Sequence, residues 1–180
     1  MLELKDATLT VAGHQLFEKL SLMALDGQLT CITGLAGCGK TALVRAMLGF
    51  LPLDEGLVSI DGELLTPLSA PAFRGMMAYL PQQREVMLQS VTTDLEGLET
   101  VWSPHGYRPY QPTLIDEHLD LPAVASRSII IADDPDLSQL NMLKSLTAGK
   151  HTVVVATQRE EYLNISEKII TLGNNDTLQS

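Results

Sequence analysis

The chain has 180 residues, 45% hydrophobic and 19% charged, which is enough apolar material for one domain with a sizeable core and excludes wholesale disorder. Lys and Arg number 12 against 22 Asp and Glu, a formal net charge of −10, so a phosphate backbone repels the chain and nucleic acid is excluded as its main partner. No apolar run approaches the roughly 20 residues of a membrane-spanning helix, the charged start Met1 to Asp6 does not read as a secretory signal, and two cysteines, Cys31 and Cys38, are too few for a disulfide framework or a zinc site, so a cytoplasmic chain is expected.

Residues 2–10 alternate as a half-buried strand, Gly13 and His14 mark a turn, and Leu16 to Ala24 reads as a second strand. Asp26-Gly27 is a turn signal. Gln28 to Thr33 is short, apolar and β-branched, as a buried strand should be. Gly34 to Gly39 is a loop, and Thr41 to Phe50 has helical spacing up to Pro52. Leu57 to Ile60 and Glu63 to Leu65 flank Asp61-Gly62, which predicts a hairpin. A short helix over Pro71 to Gly75 and a strand over Met77 to Leu80 follow. In the middle, residues 91–101 suit a helix, the proline-rich residues 102–113 a loop, and Leu114 to Leu119 a helical turn or two. The pattern then clears. Ser128 to Ala132 and Thr152 to Ala156 read as buried strands, 138–148 and Glu160 to Ser166 as helices, and Lys168 to Leu172 as a final strand. Continuously apolar strands alternating with helices predict an α/β fold with a mostly parallel sheet covered on both faces, after an antiparallel N-terminal part. A single domain over 1–180 is expected, with 84–127 as a reduced helical or loop insert.

The sharpest motif is Gly34-Leu35-Ala36-Gly37-Cys38-Gly39-Lys40-Thr41, which matches G-x-x-x-x-G-K-[ST] between a predicted strand and a predicted helix. Glycines let such a backbone wrap closely around phosphate oxygens. The inward N–H groups and the helix dipole supply positive potential. Lys40 is expected to reach the β- and γ-phosphates of a nucleotide, and the Thr41 hydroxyl to ligate Mg²⁺. Residues Gly34 to Ala42, that is Gly34, Leu35, Ala36, Gly37, Cys38, Gly39, Lys40, Thr41 and Ala42, form the expected cofactor-binding set. The strand Ser128 to Ala132 ends in Asp133-Asp134-Pro135. A carboxylate at the C-terminal edge of a parallel sheet lies where α/β proteins bind ligands, so Asp133 is the expected metal-side group.

With these residues in this order the chain resembles the ATP-binding cassette (ABC) ATPases, the motor subunits of ABC transporters, which are P-loop NTPases. The resemblance rests on the phosphate loop, on Met47 to Gly56 followed by Ile60-Asp61-Gly62, on Ala78-Tyr79-Leu80-Pro81-Gln82 as a Q-loop, on Asp133-Asp134-Pro135 as the Walker B strand end, and on Val153 to Gln158 as the switch strand. It is dense over 1–83 and looser over 128–173. It implies MgATP as ligand and Gln82 as a further metal-side group. It also implies catalytic roles for Asp134 at the base position, Gln158 at the switch position and Gln82. The implied partners are an integral membrane transporter subunit and, as dimer mate, a second copy or a complete cassette. The implied location is the cytoplasmic face of a membrane.

Four departures qualify the resemblance. Residues 84–127 hold no run of the Leu-Ser-Gly-Gly-Gln type that caps a partner's ATP in this family. The base position carries Asp134 in place of Glu, one methylene shorter, and a misplacement of about 1 Å can cost about 100-fold in rate. Gln158 stands where the family has a histidine, so it can donate a hydrogen bond but not become cationic. No Tyr or Phe lies near Val11 to stack on a base. The expectation is MgATP binding with slow or partner-dependent hydrolysis. The alternatives are a regulatory or structural module of the same fold, and a small P-loop kinase, against which the Asp61-Gly62 hairpin and the Tyr-Leu-Pro-Gln segment count.

Overall fold

In the computed structural model, residues 1–82, 113–114 and 125–173 are described, the pair 113–114 by its backbone only. Among these residues ten strands form two sheets. β1 (Leu2–Val11), β2 (His14–Ala24), β4 (Glu55–Ile60) and β5 (Glu63–Leu64) make an antiparallel sheet in the order β2-β1-β4-β5. β3 (Leu29–Thr33), β6 (Met77–Leu80), β7 (Thr113–Leu114), β8 (Ile129–Asp133), β9 (Thr152–Ala156) and β10 (Lys168–Thr171) make a sheet in the order β10-β3-β9-β8-β6-β7, and every pairing in it is parallel. The helices are α1 (Lys40–Met47), α2 (Ala70–Gly75), α3 (Leu140–Ala148), entered through a 3₁₀ turn at Leu137–Gln139, and α4 (Glu160–Leu163).

Side-chain alternation explains why the central strands carry no polar face. On β8, Ile129 and Ile131 point into one core, with Leu43, Val44 and Met47 of α1, Leu48 just after it, and Leu2, Leu4, Phe17 and Val58 of the antiparallel sheet. Ile130 and Ala132 point into the other core, with Leu143 and Leu146 of α3 and Tyr162 of α4. Every residue of β8 and β9 is therefore buried, as a parallel sheet sandwiched between layers requires.

Several expected boundaries shift for local reasons. The first hairpin turns at Ala12-Gly13, both with positive φ, so β2 starts at His14. α1 begins at Lys40 and ends at Met47, three residues short of Phe50, because the Phe50 N–H bonds back to the Arg45 carbonyl and closes the last turn. The Asp61-Gly62 hairpin forms with positive φ at both turn residues. α4 stops at Leu163. The helical turn expected from Leu114 is corrected at its first residue. Leu114 and the preceding Thr113, placed by its prolines in a loop, pair in parallel with Tyr79 and Ala78 as β7, because the edge of β6 offers ladder partners that a single helical turn lacks. The remainder of the expected turn, the expected helix over 91–101 and the loop over 102–112 lie outside the described residues.

One glycine holds the antiparallel sheet together. Gly56 sits opposite an irregularity in β1 with φ +84°, and a Cβ added there would lie 2.3 Å from the Asp6 carbonyl oxygen and 2.5 Å from that of Lys5. Backbone atoms cannot step aside as a side chain can. Gly56→Ala is expected to destabilise the fold by about 3 kcal/mol, combining left-handed strain with the clash. A shift of the urea midpoint corresponding to under 1 kcal/mol would count against that close approach.

Candidate nucleotide site

The parallel register brings four strand ends to one edge. Leu80 pairs with Ala132, Asp133 with Ala156, and Ala156 with Ile32. The residues that follow these strands, Gly34 after β3, Gln82 after β6, Asp134 after β8 and Thr157 to Arg159 after β9, emerge side by side. A pocket of about 320 Å³ opens there, lined by Leu16, Ala36, Gly37, Gly39, Lys40, Thr41, Ala42, Gln82, Asp133, Asp134 and Gln158. Gly34, Leu35 and Cys38 of the expected binding set do not line it. Leu35 is 81% exposed, and the Cys38 side chain folds back under Gly34.

The loop geometry explains its glycines. Gly34 has φ +142°, and a Cβ on it would meet the Leu172 carbonyl oxygen at 2.6 Å and Cys38 Sγ at 2.7 Å. A Cβ on Gly39 would touch Leu16 at 3.0 Å, which ties the loop to the antiparallel sheet. The Lys40 ammonium donates to the Gly34 carbonyl at 2.7 Å and to that of Leu35 at 3.0 Å. The Gln158 amide also donates to the Gly34 carbonyl. Lys40 and Gln158 therefore share one acceptor, and both stand at the rim of the pocket.

Asp133 and Asp134 are adjacent but differently housed. Asp133 is 2% exposed, and its Oδ2 has no hydrogen-bond partner among the described residues. Burial pushes its carboxyl above the ordinary range, against the pull of Thr41, Arg45 and Lys40. Asp134 takes a left-handed φ of +47°, and its N–H donates to the Ala156 carbonyl at 2.7 Å. Its carboxylate accepts from the Thr157 hydroxyl at 2.8 Å and from the Gln82 amide at 3.4 Å, and it lies 3.7 Å from Arg159 Nε. By contrast burial pushes the thiol of Cys31, in β3 behind the site, up to about 11, which disfavours the nucleophilic thiolate.

The donor set suits a hydrated divalent cation. No group of three or more His, Cys, Asp or Glu side chains gathers as a cage among the described residues, and Mg²⁺ bound with a nucleotide does not need one. It takes one or two protein oxygens and draws the rest from phosphates and water. The orphaned Oδ2 of Asp133, on a side chain that the Thr41 hydroxyl also reaches, has the chemistry of such a ligand. Sequence reading missed Leu16, Thr157 and Arg159. The last two were within reach of it, because residues immediately after a fully buried strand share the edge reached by Asp133 and Asp134.

A family model described as "ABC transporter" matches residues 17–157. The chain belongs to the ABC transporter family. Curated relatives of this ABC chain include the intermembrane phospholipid transport system ATP-binding protein MlaF of Escherichia coli, 28% identical over 73% of this chain and 44% of that protein. A second is the manganese transport system ATP-binding protein MntB of Listeria innocua, 37% identical over 44% of this chain and 32% of that protein. This cassette thus spans less than half the length of either. Among solved structures, the dimeric bacterial ABC transporter cassette MJ0796 matches with a TM-score of 0.67 at 20% identity, covering 99% of this chain and 97% of that one. A nucleotide-free ATP-binding cassette from an ABC transporter matches with the same TM-score at 16% identity, over 99% and 90%. Both likenesses establish the ABC cassette fold, a P-loop architecture with a parallel sheet and an antiparallel part. No helix among the described residues is long and apolar enough to cross a membrane.

Proposed function

We propose that this chain is the ATP-binding subunit of an ABC-type transport complex, binding MgATP in the pocket above the parallel sheet and hydrolysing it slowly or only with a partner. One observation carries the reading: the Lys40 ammonium, the Thr41 hydroxyl, the orphaned Asp133 carboxylate and the Gln82 and Gln158 amides converge on a single pocket at the sheet's C-terminal edge. The loop amides and Lys40 hold the phosphates. Thr41, Asp133 and Gln82 would hold Mg²⁺, which when bound neutralises charge developing on the phosphates. Gln158 turns its amide from the Gly34 carbonyl toward the last phosphate. Asp134 orients or deprotonates the attacking water. An integral membrane transporter subunit, and a second copy or a complete cassette as dimer mate, are the proposed partners, which places the chain on the cytoplasmic face of a membrane. MlaF and MntB are named as ATP-binding proteins of transport systems, and by that likeness the same chemistry here would drive movement of a solute.

A second reading, a nucleotide-binding module with little turnover, draws support from Asp134. Each of its carboxylate oxygens already accepts a hydrogen bond, one from Thr157 and one from Gln82, so part of its accepting capacity is taken up inside the protein and less is left for water. Calorimetry with MgATP and steady-state phosphate release together test the two. Heat of binding with slow release is expected. Binding with turnover of tens per second by the isolated chain would overturn the slow reading, and no binding would overturn both. In the same assay Asp134→Glu is expected to raise the rate at least tenfold if reach is the defect. An unchanged rate assigns the defect to the absent signature run.

A further inference from the structure

We propose that Arg159 lets this site prefer a triphosphate to a diphosphate by carrying the countercharge for Asp134. The proposal rests on the reading that the pocket takes MgATP. Among the described residues, the pocket wall holds one cation, Lys40, and two adjacent carboxylates, Asp133 and Asp134, with the amides of Gln82 and Gln158 neutral. Asp133 feels both Lys40 and Arg45. Among the described residues, the cation paired with Asp134 is Arg159, whose Nε lies 3.7 Å from Oδ1. That Nε is shielded from solvent and makes no hydrogen bond among the described residues, so the edge of the guanidinium that faces Asp134 acts through its charge, which it shares with Asp136 at the same distance.

The backbone that carries the guanidinium is held in place from two sides. The Arg159 backbone N–H donates to the Thr157 hydroxyl oxygen at 3.2 Å, and the same hydroxyl donates to Asp134 at 2.8 Å. The Arg159 carbonyl accepts from Tyr162 and Leu163 at the start of α4. Beyond the pair, a second guanidinium nitrogen lies 3.7 Å from Asp136 Oδ1, and the buried Tyr162 hydroxyl donates to the Asp136 carbonyl at 2.7 Å. Arg159 itself does not line the pocket, so it is a positioning residue that acts through Asp134. Without it, a carboxylate lacking a countercharge would face the phosphate chain. The penalty grows with the phosphate charge that enters, because repulsion scales with the product of charges. Since Gln158 cannot become cationic, the switch segment keeps its positive charge one residue further along, at Arg159.

Isothermal titration of MgATP and MgADP against the wild type, Arg159→Ala, Asp134→Asn, the double variant and Arg159→Lys tests this. Arg159→Ala is expected to weaken MgATP about tenfold, allowing for the partial exposure of the pair, and MgADP less than about threefold. Adding Asp134→Asn should return MgATP affinity to within about twofold of Asp134→Asn alone, because the repelling charge is gone. Arg159→Lys should retain most of the preference. Arg159→Gln, which keeps much of the side-chain stem, carries the same expectation as the alanine variant if that one does not fold. Equal weakening of both nucleotides, or a loss that Asp134→Asn fails to relieve, overturns the proposal and leaves the nucleotide site standing. A wild type that takes up no MgATP overturns the site and the proposal together.

Discussion

Lys40→Ala is expected to weaken MgATP binding by about a hundredfold, the worth of charge-assisted hydrogen bonds to phosphate at about 2–3 kcal/mol, while the thermal midpoint moves little. The two effects separate because of where the ammonium sits. Its partners in the structure are the carbonyls of Gly34 and Leu35, and the loop they belong to is open to water, with Leu35 81% exposed. Those carbonyls can find water when the lysine is removed, and alanine suits the first turn of α1. A triphosphate has no such substitute, since no other cation lines the pocket among the described residues. Titration calorimetry and a thermal melt on the same sample check both halves. A loss under about fivefold would mean that the loop amides alone hold the phosphates.

Asp133→Asn is expected to do the reverse to the two quantities, raising the thermal midpoint by about 2–4 °C without nucleotide and removing the contribution of Mg²⁺ to ATP affinity. The carboxylate is 2% exposed, and one of its oxygens has no partner among the described residues. Burial outweighs the help of Thr41, Arg45 and Lys40, so its carboxyl is pushed up and the charged form is the disfavoured one. A neutral isostere removes that burden, and about 1 kcal/mol corresponds to the quoted shift for a chain of this size. An amide oxygen is a poorer ligand for a hard divalent cation than a carboxylate. Titrating ATP with and without Mg²⁺ should therefore give different affinities in the wild type and nearly equal ones in the variant. A midpoint that falls, or a Mg²⁺ effect that survives, would place the buried charge in a structural role.

Much of the architecture could be read from the chain because the elements near the site signal strongly on their own. Cys31-Ile32, Ile129 to Ile131 and Val153 to Val155 are β-branched or apolar without interruption, and they are the strands buried on both faces. The Asp61-Gly62 hairpin forms as its turn chemistry demands. Leu114 defeated the same reasoning. A two-residue strand has no period, and its state is decided by the free edge of β6, more than 30 residues away in the chain.

The candidate site divides along the same line. The phosphate loop was determined by the sequence itself, since eight contiguous residues with glycines at forced backbone angles carry the whole device, and local dihedral preferences need no distant partner. Which side chains stand around the two aspartates was decided only by the tertiary structure. Thr157 reaches Asp134 across 23 residues and Gln82 reaches it across 52, and nothing local distinguishes Arg159 from any other arginine at a helix start. Those neighbours follow from the register of β6, β8 and β9. That register is set by burying Ile129 to Ala132 on both faces at once, because a slip of one residue would exchange the side chains that face the two cores.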